Sequence, residues 1–467
     1  MSEKSAKELK ELLFDKKQNG VDFLSDDELK VCDGFCEGYK EFLFKCKTER
    51  EAAAYAEARA IAAGFKPFNE FGEPLKAGEK VYVMNRGKSI MLCVKGKRPI
   101  NEGVRISAAH IDSPRIDLKQ CPVYEDSNLA FFKTHYYGGI KKYQWTAIPL
   151  SLHGRICKND GSCVDICLGE QAGEPKFCIT DILPHLANEQ YARKSGDLIK
   201  GEELNVVIGS RPFKDDKESE KIKLNILNLL YEKYGIVERD FLSAELELVP
   251  AFSVDDVGFD RSLIGGYGHD DRVCAYPALE AIINIDEVPE YTAITVLTDK
   301  EEVGSDGNTG LNSSYMKYFI ADLARLEGFE GRDVLRHSKC LSADVNAAYD
   351  PTWGFAYEKT NASFINCGVC VTKFTGSRGK SGTSDASAEF VSWVKALLEN
   401  NGVLWQSGEL GKVDGGGGGT VAMYVANLDV DTIDVGVPVL SMHAPYEIVS
   451  KIDVYMAYKA FLTFFTK

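Results

Sequence analysis

Several features of common protein classes are missing from this chain of 467 residues. No apolar run approaches the length of a membrane span. Residues 1–17 hold charged and small residues with scattered leucines, not the apolar core of a secretory signal. Basic residues are fewer than acidic ones: the chain has 55 Lys and Arg and 70 Asp and Glu, which gives a net charge of −15. We therefore expect neither a nucleic-acid nor a membrane partner.

The 13 cysteines lack the regular spacing of a disulfide framework. Their odd number in a chain of this size predicts reduced thiols and a cytoplasmic location. Cys367 and Cys370 form the single Cys-x-x-Cys pair, within the apolar stretch 364–374 that predicts a strand. Residues three apart on a strand point to opposite faces, so we expect two separate core thiols rather than a metal pair.

The patterns that are present predict an α/β protein with a mostly parallel central sheet flanked by helices. Residues 5–64 repeat apolar positions at helical spacing, and later in the chain β-branched runs alternate with helical patterns. The predicted strands of these parts are 80–84, 89–94, 103–109, 245–249, 294–297, 339–343, 364–375, 421–425 and 437–442, and the later predicted helices are 271–285, 310–326, 384–400 and 448–465.

A change in the residue pattern indicates an inserted domain, in a chain that is long for a single hydrophobic core. Between about 120 and 244, turn residues separate short aromatic and β-branched runs, and acid and histidine clusters are absent. We expect a principal domain formed by 1–120 and 245–467 and an inserted, mostly β domain over 121–244. Inside the insertion, the highly charged stretch 196–222 predicts a mobile loop.

Two adjacent carboxylates, Glu301 and Glu302, follow the apolar, β-branched run 291–297. They begin a loop after a predicted buried strand, where open α/β sheets place their chemistry. Neighbouring side chains of an extended segment point in different directions. One glutamate can therefore hold a cation while the other accepts a proton from water. Taken alone, the pair also fits a solvated acidic loop.

Four further acidic or histidine motifs lie at predicted strand ends or helix starts. They are His110-Ile-Asp112, His269-Asp270-Asp271, Ser342-Ala-Asp344 and Ser441-Met-His443. Asp112 lies on the same strand face as His110 and can hydrogen-bond its ring, which fixes the tautomer that a metal needs. Two of the seven histidines with three or more carboxylates form the donor set of a two-metal hydrolytic centre. Zinc suits these donors, with manganese or cobalt as alternatives.

The order of these five motifs resembles the aspartyl aminopeptidase family, which includes the fungal vacuolar aminopeptidase. The resemblance extends over almost the whole chain, and Tyr137-Gly-Gly139 and Pro184-His-Leu-Ala187 add to it. It implies a zinc-peptidase-like fold and a metalloaminopeptidase that removes the N-terminal residue of peptides. It also implies a homo-oligomer, a tetrahedral dodecamer, in which the inserted domain makes the dimer contacts.

The same resemblance implies two divalent metal ions, most simply zinc, that share one bridging carboxylate. The implied ligands are His110, Asp270 and Asp344 for one ion and Asp270, Glu302 and His443 for the other. Glu301 would be the general base and Asp112 the partner of the His110 ring. Many family members have Leu-Asp-Asn where this chain has His269-Asp270-Asp271. Asp270 is therefore taken as the ligand, and Asp271 as a carboxylate at a helix start.

The preferred substrate stays open at this stage. An acidic first residue needs a cationic pocket, for which Lys373, Arg378 and Lys380 are the candidates, and Lys373 resembles a lysine of acidic-specific relatives. A solvated Gly/Ser-rich loop is the competing interpretation, and relatives that prefer leucine leave a neutral first residue possible. His185 would reach a neighbour's active site, although some relatives carry a second histidine where this chain has Glu189.

Two other functions compete with the aminopeptidase. A related N-acyl amino acid deacylase would use the same centre, whereas a non-enzymatic assembly protein would lack a ligand or the base, and none is lacking here. The glycine run 415–419 follows Asp414 and lacks the Gly-Lys-[Ser/Thr] ending of a phosphate loop, so we expect it to line the substrate cleft. The remaining histidines, His135, His153, His269 and His337, are expected to be structural or exposed.

Overall fold

The structure is a computed structural model that describes residues 4–214 and 217–467. The α-helices of these residues are α1 (Ala6–Leu13), α2 (Gly20–Phe23), α3 (Asp26–Lys45), α4 (Glu49–Ala62), α5 (Asn188–Tyr191), α6 (Lys221–Tyr234), α7 (His269–Ile283), α8 (Tyr315–Leu326), α9 (Gly331–Leu335), α10 (Ala388–Asn400), α11 (Ala422–Ala426) and α12 (Lys451–Thr466). None of these helices combines the length and the apolar character that crossing a membrane requires.

The strands of the described residues belong to four sheets. They are β1 (Lys66–Pro67), β2 (Lys80–Asn85), β3 (Ser89–Val94), β4 (Val104–His110), β5 (Arg115–Asp126), β6 (Leu129–Tyr137), β7 (Leu150–Cys157), β8 (Cys163–Leu168), β9 (Cys178–Ile179), β10 (Val206–Gly209), β11 (Ala244–Pro250), β12 (Asp255–Val257), β13 (Leu263–Gly266), β14 (Thr292–Thr298), β15 (Lys339–Ala343), β16 (Asn346–Ala347), β17 (Val369–Thr372), β18 (Gly376–Ser377), β19 (Trp405–Ser407), β20 (Gly417–Gly418), β21 (Asp431–Gly436), β22 (Pro438–Leu440) and β23 (Glu447–Ser450).

A nine-stranded sheet forms the centre of the molecule, in the order β1-β2-β3-β14-β4-β15-β21-β17-β19. The four strands β14, β4, β15 and β21 run parallel, and β3 and β17 join them antiparallel. All residues of β4 and β14 are buried, as expected for strands that are covered on both faces. Because parallel strands end at one edge, His110 lies opposite Thr298, and Ala109 lies opposite Ala343.

Helices cover both faces of this sheet, which confirms the predicted α/β class. One apolar core joins the sheet to α3, α4, α7, α10 and α12, and a second joins it to α8, α9 and α11. Every residue of α7 is buried, because this helix packs against β4 and β14 on one side and α12 on the other. Burial on every side suits the mostly apolar residues 273–283, and the polar residues of the first turn are buried with them. The start of α7 therefore carries Asp270 into the interior.

The insertion forms a separate antiparallel sheet in the order β8-β7-β11-β5-β6-β10-β9, with its own apolar core. Its outer limits differ from the predicted range 121–244, because β5 begins at Arg115 and β11 ends at Pro250. The strand predicted at 245–249 as part of the principal domain pairs here with β5 and β7. An alternating strand pattern identifies a strand but not the sheet that it joins.

A five-stranded sheet, absent from the sequence prediction, has the order β12-β13-β23-β22-β16. Strand β13 leads into α7, and β22 leads towards His443, so this sheet brings two distant segments side by side. Strand β23 lies between β13 and β22, and its first residue, Glu447, pairs with Gly266. A short fourth sheet pairs β18 with β20.

Some predicted elements are wrong or shorter than expected. The strand predicted at 421–425 is wrong, because residues Ala422–Ala426 form helix α11, which packs on β15 and β21. This packing outweighs the local preference for a strand. The strand predicted at 364–375 is limited to β17, and the helix predicted at 448–465 is preceded by β23. The charged stretch 196–222 contains β10 and the first residues of α6, while residues 215 and 216 lie outside the described residues.

One cysteine pair departs from the expected reduced state. Cys157 and Cys163 are register partners across the β7–β8 hairpin and form a disulfide, with Cα atoms 4.2 Å apart. The other cysteines are free thiols, and Cys367 and Cys370 are buried without a bond between them.

Candidate metal centre

The predicted acid and histidine side chains meet at the carboxyl edge of the central parallel strands. His110 ends β4, Glu301 and Glu302 follow β14, and Asp344 follows β15. The other two come from the neighbouring five-stranded sheet, since Asp270 follows β13 and His443 follows β22. Lys300 and His443 both have positive φ, 68° and 65°. Non-glycine residues adopt this conformation only where the surrounding structure enforces it.

Asp270 lies between the two histidines. Its Oδ1 is 3.2 Å from His110 Nε2, and its Oδ2 is 3.1 Å from His443 Nε2. On the first side, Asp344 Oδ1 is 3.9 Å from His110 Nε2, and on the second, Glu302 Oε2 is 3.6 Å from His443 Nε2. Two groups of donors therefore share one carboxylate, as in centres where a carboxylate bridges two metal ions.

The donor set fits divalent cations. Two buried polar atoms of the cluster, His110 Nε2 and Glu302 Oε1, have no hydrogen-bond partner within the described part of the chain. Donor atoms of His110, Asp270 and Glu302 lie within 4.8 Å of one another, and so do those of His110, Asp271 and Asp344. Imidazole and carboxylate are the ligands that zinc, manganese and cobalt share.

Negative charge dominates this cluster. Burial and neighbouring carboxylates raise the pKa of Glu301 to about 7 and hold the pKa of Glu302 and Asp344 well above the usual range. Burial opposes the charged form of His443, but contact with Asp270 raises its pKa to about 11. Such shifts show how costly the carboxylates are to ionise together, and a bound dication removes that cost.

Asp112 organises the residues around His110. Its Oδ1 lies 3.3 Å from His110 Nδ1 and accepts a hydrogen bond from the backbone N–H of Glu301 at 3.1 Å. Its Oδ2 accepts from the backbone N–H of Glu302 at 3.2 Å and from the Tyr137 hydroxyl at 2.7 Å. The backbone carbonyl of Asp112 also lies 3.0 Å from His110 Nδ1, so Asp112 holds the ring with its backbone and side chain and orients both glutamates with its carboxylate. Tyr137 belongs to β6, so the inserted sheet supports the centre directly.

Glu447 is a site residue that sequence reasoning missed. It is 1% exposed, and its carboxylate accepts hydrogen bonds from the backbone N–H of His443 at 2.7 Å and of Asp270 at 3.2 Å. Burial raises the pKa of Glu447 to about 8. The available signal was a glutamate four residues after His443, at the start of β23.

Asp271 was predicted to be only a carboxylate at a helix start, but it also contacts the cluster directly. Its Oδ2 accepts a hydrogen bond from the backbone N–H of His110 at 3.3 Å. It is fully buried, and burial holds its pKa well above the usual range. The backbone of β4 and the start of α7 are thereby connected directly at the centre.

A cavity of about 200 Å³ opens beside the centre. Its walls include four residues of the cluster, Asp270, Glu301, Asp344 and His443, and other lining residues are Val345, Asn346, Thr372, Thr375, Leu410, Gly417, Gly418, Gly419, Thr420, Asp434 and Met442. The glycine run lines this cleft, as expected. Gly417 has φ +115° and packs against the backbone of Gly376 in the β18–β20 pair, which leaves no space for a side chain.

The residues proposed for substrate binding do not line this cavity. Lys373 Nζ is 2.6 Å from one oxygen of Asp385, and Lys380 Nζ is 3.1 Å from the other. Lys373 borders a separate cavity of about 270 Å³, and Arg378 borders one of about 60 Å³. His185 is exposed on the inserted domain. The structure therefore does not bring these residues to the metal centre within one chain.

Comparison with known proteins gives the family of this chain. The model of the family described as aminopeptidase I zinc metalloprotease (M18) matches residues 42–465. A probable M18 family aminopeptidase 1 of Clostridium acetobutylicum is 47% identical over 455 residues, which cover 95% of this chain and 98% of the relative. A Thermotoga maritima protein of the same description is 43% identical over 441 residues, with coverages of 93% and 96%.

Solved structures agree with this assignment. The crystal structure of an M18 family aminopeptidase from Thermotoga maritima has a TM-score of 0.93 at 41% identity, covering 97% of this chain and 100% of that chain. Aminopeptidase I from Clostridium acetobutylicum has a TM-score of 0.91 at 44% identity, with the same coverages. The Saccharomyces cerevisiae mApe1 dodecamer, with a TM-score of 0.76 at 20% identity and coverages of 93% and 97%, shows the fold alone. This chain therefore belongs to the M18 family of zinc metalloproteases and is a metal-dependent aminopeptidase.

Proposed function

We propose that this aminopeptidase works with a dinuclear metal centre, whose two ions the Asp270 carboxylate would hold in common. The observation that carries the proposal is the position of the Asp270 carboxylate, with one oxygen 3.2 Å from His110 and the other 3.1 Å from His443. His110 and Asp344 would complete one site, and Glu302 and His443 the other. Zinc is the expected metal, with manganese or cobalt as alternatives.

In this proposal Glu301 is the general base. When bound, the metal ions supply Lewis acidity to the scissile carbonyl and to the attacking water. The Glu301 side chain lines the cavity, is 18% exposed and lies 3.9 Å from His110 Nε2. It lines the cavity without being one of the proposed ligands, so its carboxylate can accept a proton from water and return it to the leaving amine. The hydrogen bond from its backbone to Asp112 holds it in place.

Counting metal ions tests the dinuclear proposal. We expect two ions to depend on the cluster, so that Asp270→Asn binds two ions fewer than the wild-type chain and His443→Gln binds one fewer. Inductively coupled plasma mass spectrometry after dialysis measures these numbers. Asp385→Asn, a carboxylate change outside the cluster, is the control and should keep both ions. A wild-type chain with a single ion, or an Asp270→Asn chain that lost fewer than two ions relative to wild type, would contradict the shared carboxylate.

We further propose that the first residue of the substrate is neutral. In the described part of the chain the cavity has apolar walls at Val345, Leu410 and Met442, and its charged walls are acidic apart from His443. Asp434, whose pKa burial raises to about 7, offers no positive charge to a carboxylate side chain of a substrate. An acidic preference would need Lys373, Arg378 or Lys380. Asp385 pairs with both lysines, at 2.6 Å and 3.1 Å, and Arg378 borders a different cavity. A leucine-like residue therefore fits this cavity better.

A panel of peptides that differ only in the first residue tests the preference. We expect kcat/KM for Leu and Met to exceed that for Asp and Glu by at least about tenfold. Lys373→Met should leave the Leu activity unchanged. Faster cleavage of Asp and Glu peptides, with a loss of that activity in Lys373→Met, would show instead that the enzyme prefers acidic first residues and that Lys373 binds them. N-acetylated peptides serve as a control for the deacylase alternative and should not be cleaved.

We propose that the chain works as a homo-oligomer, and a dodecamer is the assembly to test first. The mApe1 structure with this fold is a dodecamer. The inserted domain carries an apolar cavity of about 480 Å³ between α6 and its sheet, beside the exposed Leu229 and Tyr231. Light scattering after gel filtration measures the mass, and a monomer would contradict the proposal. His185→Ala should lower activity without changing the mass if His185 serves a neighbour's site.

A further inference from the structure

A second group of metal-binding side chains lies where α4 meets the inserted sheet. Glu51 of α4, His153 of β7 and Cys167 of β8 place a carboxylate oxygen, an imidazole nitrogen and a sulfur within 4.8 Å of one another. His153 and Cys167 are directly opposite each other in the β7–β8 register. His153 was expected to be structural or exposed; it is 2% exposed and holds the middle of this group.

Both ring nitrogens of His153 face carboxylates. Nδ1 is 2.7 Å from Glu51 Oε1, and Nε2 is 2.9 Å from Glu170 Oε1 and 3.1 Å from Ser151 Oγ. The other Glu170 oxygen is held by Lys47 Nζ at 2.9 Å. When Nδ1 and Glu51 bind an ion, Nε2 keeps Glu170 as its carboxylate partner. This pairing is the usual support for a histidine that binds a metal.

Glu51 is also held in position before any ion binds. Its Oε2 accepts hydrogen bonds from the backbone N–H of Lys47 at 2.9 Å and of Thr48 at 3.0 Å, as part of the capping box of α4. Oε1 is left to face His153. The capping box therefore directs a carboxylate oxygen at the imidazole. Glu51 and His153 are thus already in position before an ion binds.

We propose that Glu51, His153 and Cys167 form a zinc site that joins α4 to the inserted sheet. Imidazole, thiolate and carboxylate are the three ligand types of protein zinc sites, and a water molecule can complete a tetrahedron. Binding displaces one proton from the imidazolium and one from the thiol for each dication, so the net charge of the group does not change. No residue of the catalytic cluster takes part, so this site is independent of the proposed function.

Cobalt substitution gives a direct test, because only a thiolate ligand produces an intense sulfur-to-cobalt absorption band in the near ultraviolet. The catalytic donors include no cysteine, so cobalt bound there does not produce this band. We expect the band when Co²⁺ is added to the reduced, full-length wild-type chain. Cys167→Ser should lose the band. Cys121→Ser, which removes another exposed cysteine of the same sheet, should keep it.

Zinc content gives the second measurement. With the catalytic centre loaded in all chains, Cys167→Ser should bind about one zinc fewer than wild type and Cys121→Ser, and all three should cleave a Leu peptide at equal rates. Zinc should raise the melting temperature of wild type more than that of Cys167→Ser. Absence of the band in wild type, its persistence in Cys167→Ser, or equal zinc contents in wild type and Cys167→Ser would overturn the proposal.

Discussion

The catalytic cluster and the ion-pair cluster around Asp256 both hold carboxylates away from water, yet their charges are balanced in opposite ways. In the catalytic cluster, burial and neighbouring carboxylates hold the pKa of Glu302 and Asp344 well above the usual range. Asp256 of β12 has a 7% exposed side chain, but hydrogen bonds with basic side chains overcome burial and lower its pKa. Only the first cluster is short of positive charge.

The basic partners of Asp256 come from three separate segments. Lys40 Nζ of α3 is 2.9 Å from its carboxylate, Lys451 Nζ of α12 is 3.1 Å away, and Arg261 Nη2 is 2.7 Å away. Each charge is satisfied within the chain, so the cluster needs nothing from solution. In the catalytic cluster the ion-pair partners of the carboxylates are His110 and His443. The comparison teaches that uncompensated negative charge, rather than burial of carboxylates, identifies the functional site.

The largest effect is expected from Glu301→Gln, which removes the base but keeps the shape of the side chain. Turnover should fall by about 100-fold to 10,000-fold, because general base catalysis typically supplies this much. Metal content should stay at the wild-type value, since Glu301 is not a proposed ligand. Steady-state kinetics together with metal analysis checks both. Activity near the wild-type value would show that another group accepts the proton.

Glu302→Gln should distinguish a ligand from a base. Removing one negative charge from the second site should weaken metal binding by at least about tenfold, and activity should fall with it. Excess zinc or manganese should restore part of the activity of this variant but none of that of Glu301→Gln. Metal titrations monitored by activity make the comparison. If neither variant responded to added metal, the two glutamates would not have the different roles that we propose.

Asp112→Asn and Tyr137→Phe test the support beneath His110. The asparagine cannot hold the ring and both backbone N–H groups as a charged acceptor, so kcat/KM should fall about 10-fold to 100-fold. Tyr137→Phe removes a single hydrogen bond, 2.7 Å in length, that the inserted sheet supplies, and a drop of less than about tenfold is expected. An equal or larger loss in Tyr137→Phe would show that the insertion contributes more than orientation.

Asp256→Asn should leave activity unchanged and cost about 1–2 kcal/mol of unfolding free energy at neutral pH. The reason is that Lys40 and Lys451 each lose one of two carboxylate partners and keep Glu37 and Asp33, respectively. The folded-state pKa of Asp256 lies below its unfolded value. Its contribution is therefore present above the unfolded pKa and is lost as pH falls below about 4. Urea unfolding of both chains at several pH values should show their stabilities converging in acid. A constant difference would contradict the assignment.

Much of the architecture could be predicted because it depends on local patterns. Strands β2, β3 and β15 and helices α7 and α10 lie close to their predicted bounds, since periodic burial and capping are encoded within a few residues. Strand β11 was recognised as a strand but assigned to the wrong domain, because sheet membership depends on distant partners. Helix α11 was mistaken for a strand, because packing against the sheet, rather than local sequence, determines the conformation of so short an apolar run.

At the substrate pocket, too, the sequence could not predict which residues contact each other. Lys373 and Lys380 are cationic residues in a glycine-rich loop, but twelve and five residues further along the chain Asp385 neutralises both. Glu447 was missed because its hydrogen bonds go to backbone groups of Asp270 and His443, which no side-chain motif records. Charges and donors can be counted in a sequence, but their partners cannot.

By itself, the sequence determined the α/β class, the positions of the donor residues at element ends, and the excess of acid over base. These properties follow from the types and short-range order of residues. Tertiary structure alone decided that one carboxylate lies between two histidines, that the lysines face Asp385, and that His153 meets Glu51 and Cys167. Those relations join residues many positions apart, and the distances between them exist only after the sheets have packed.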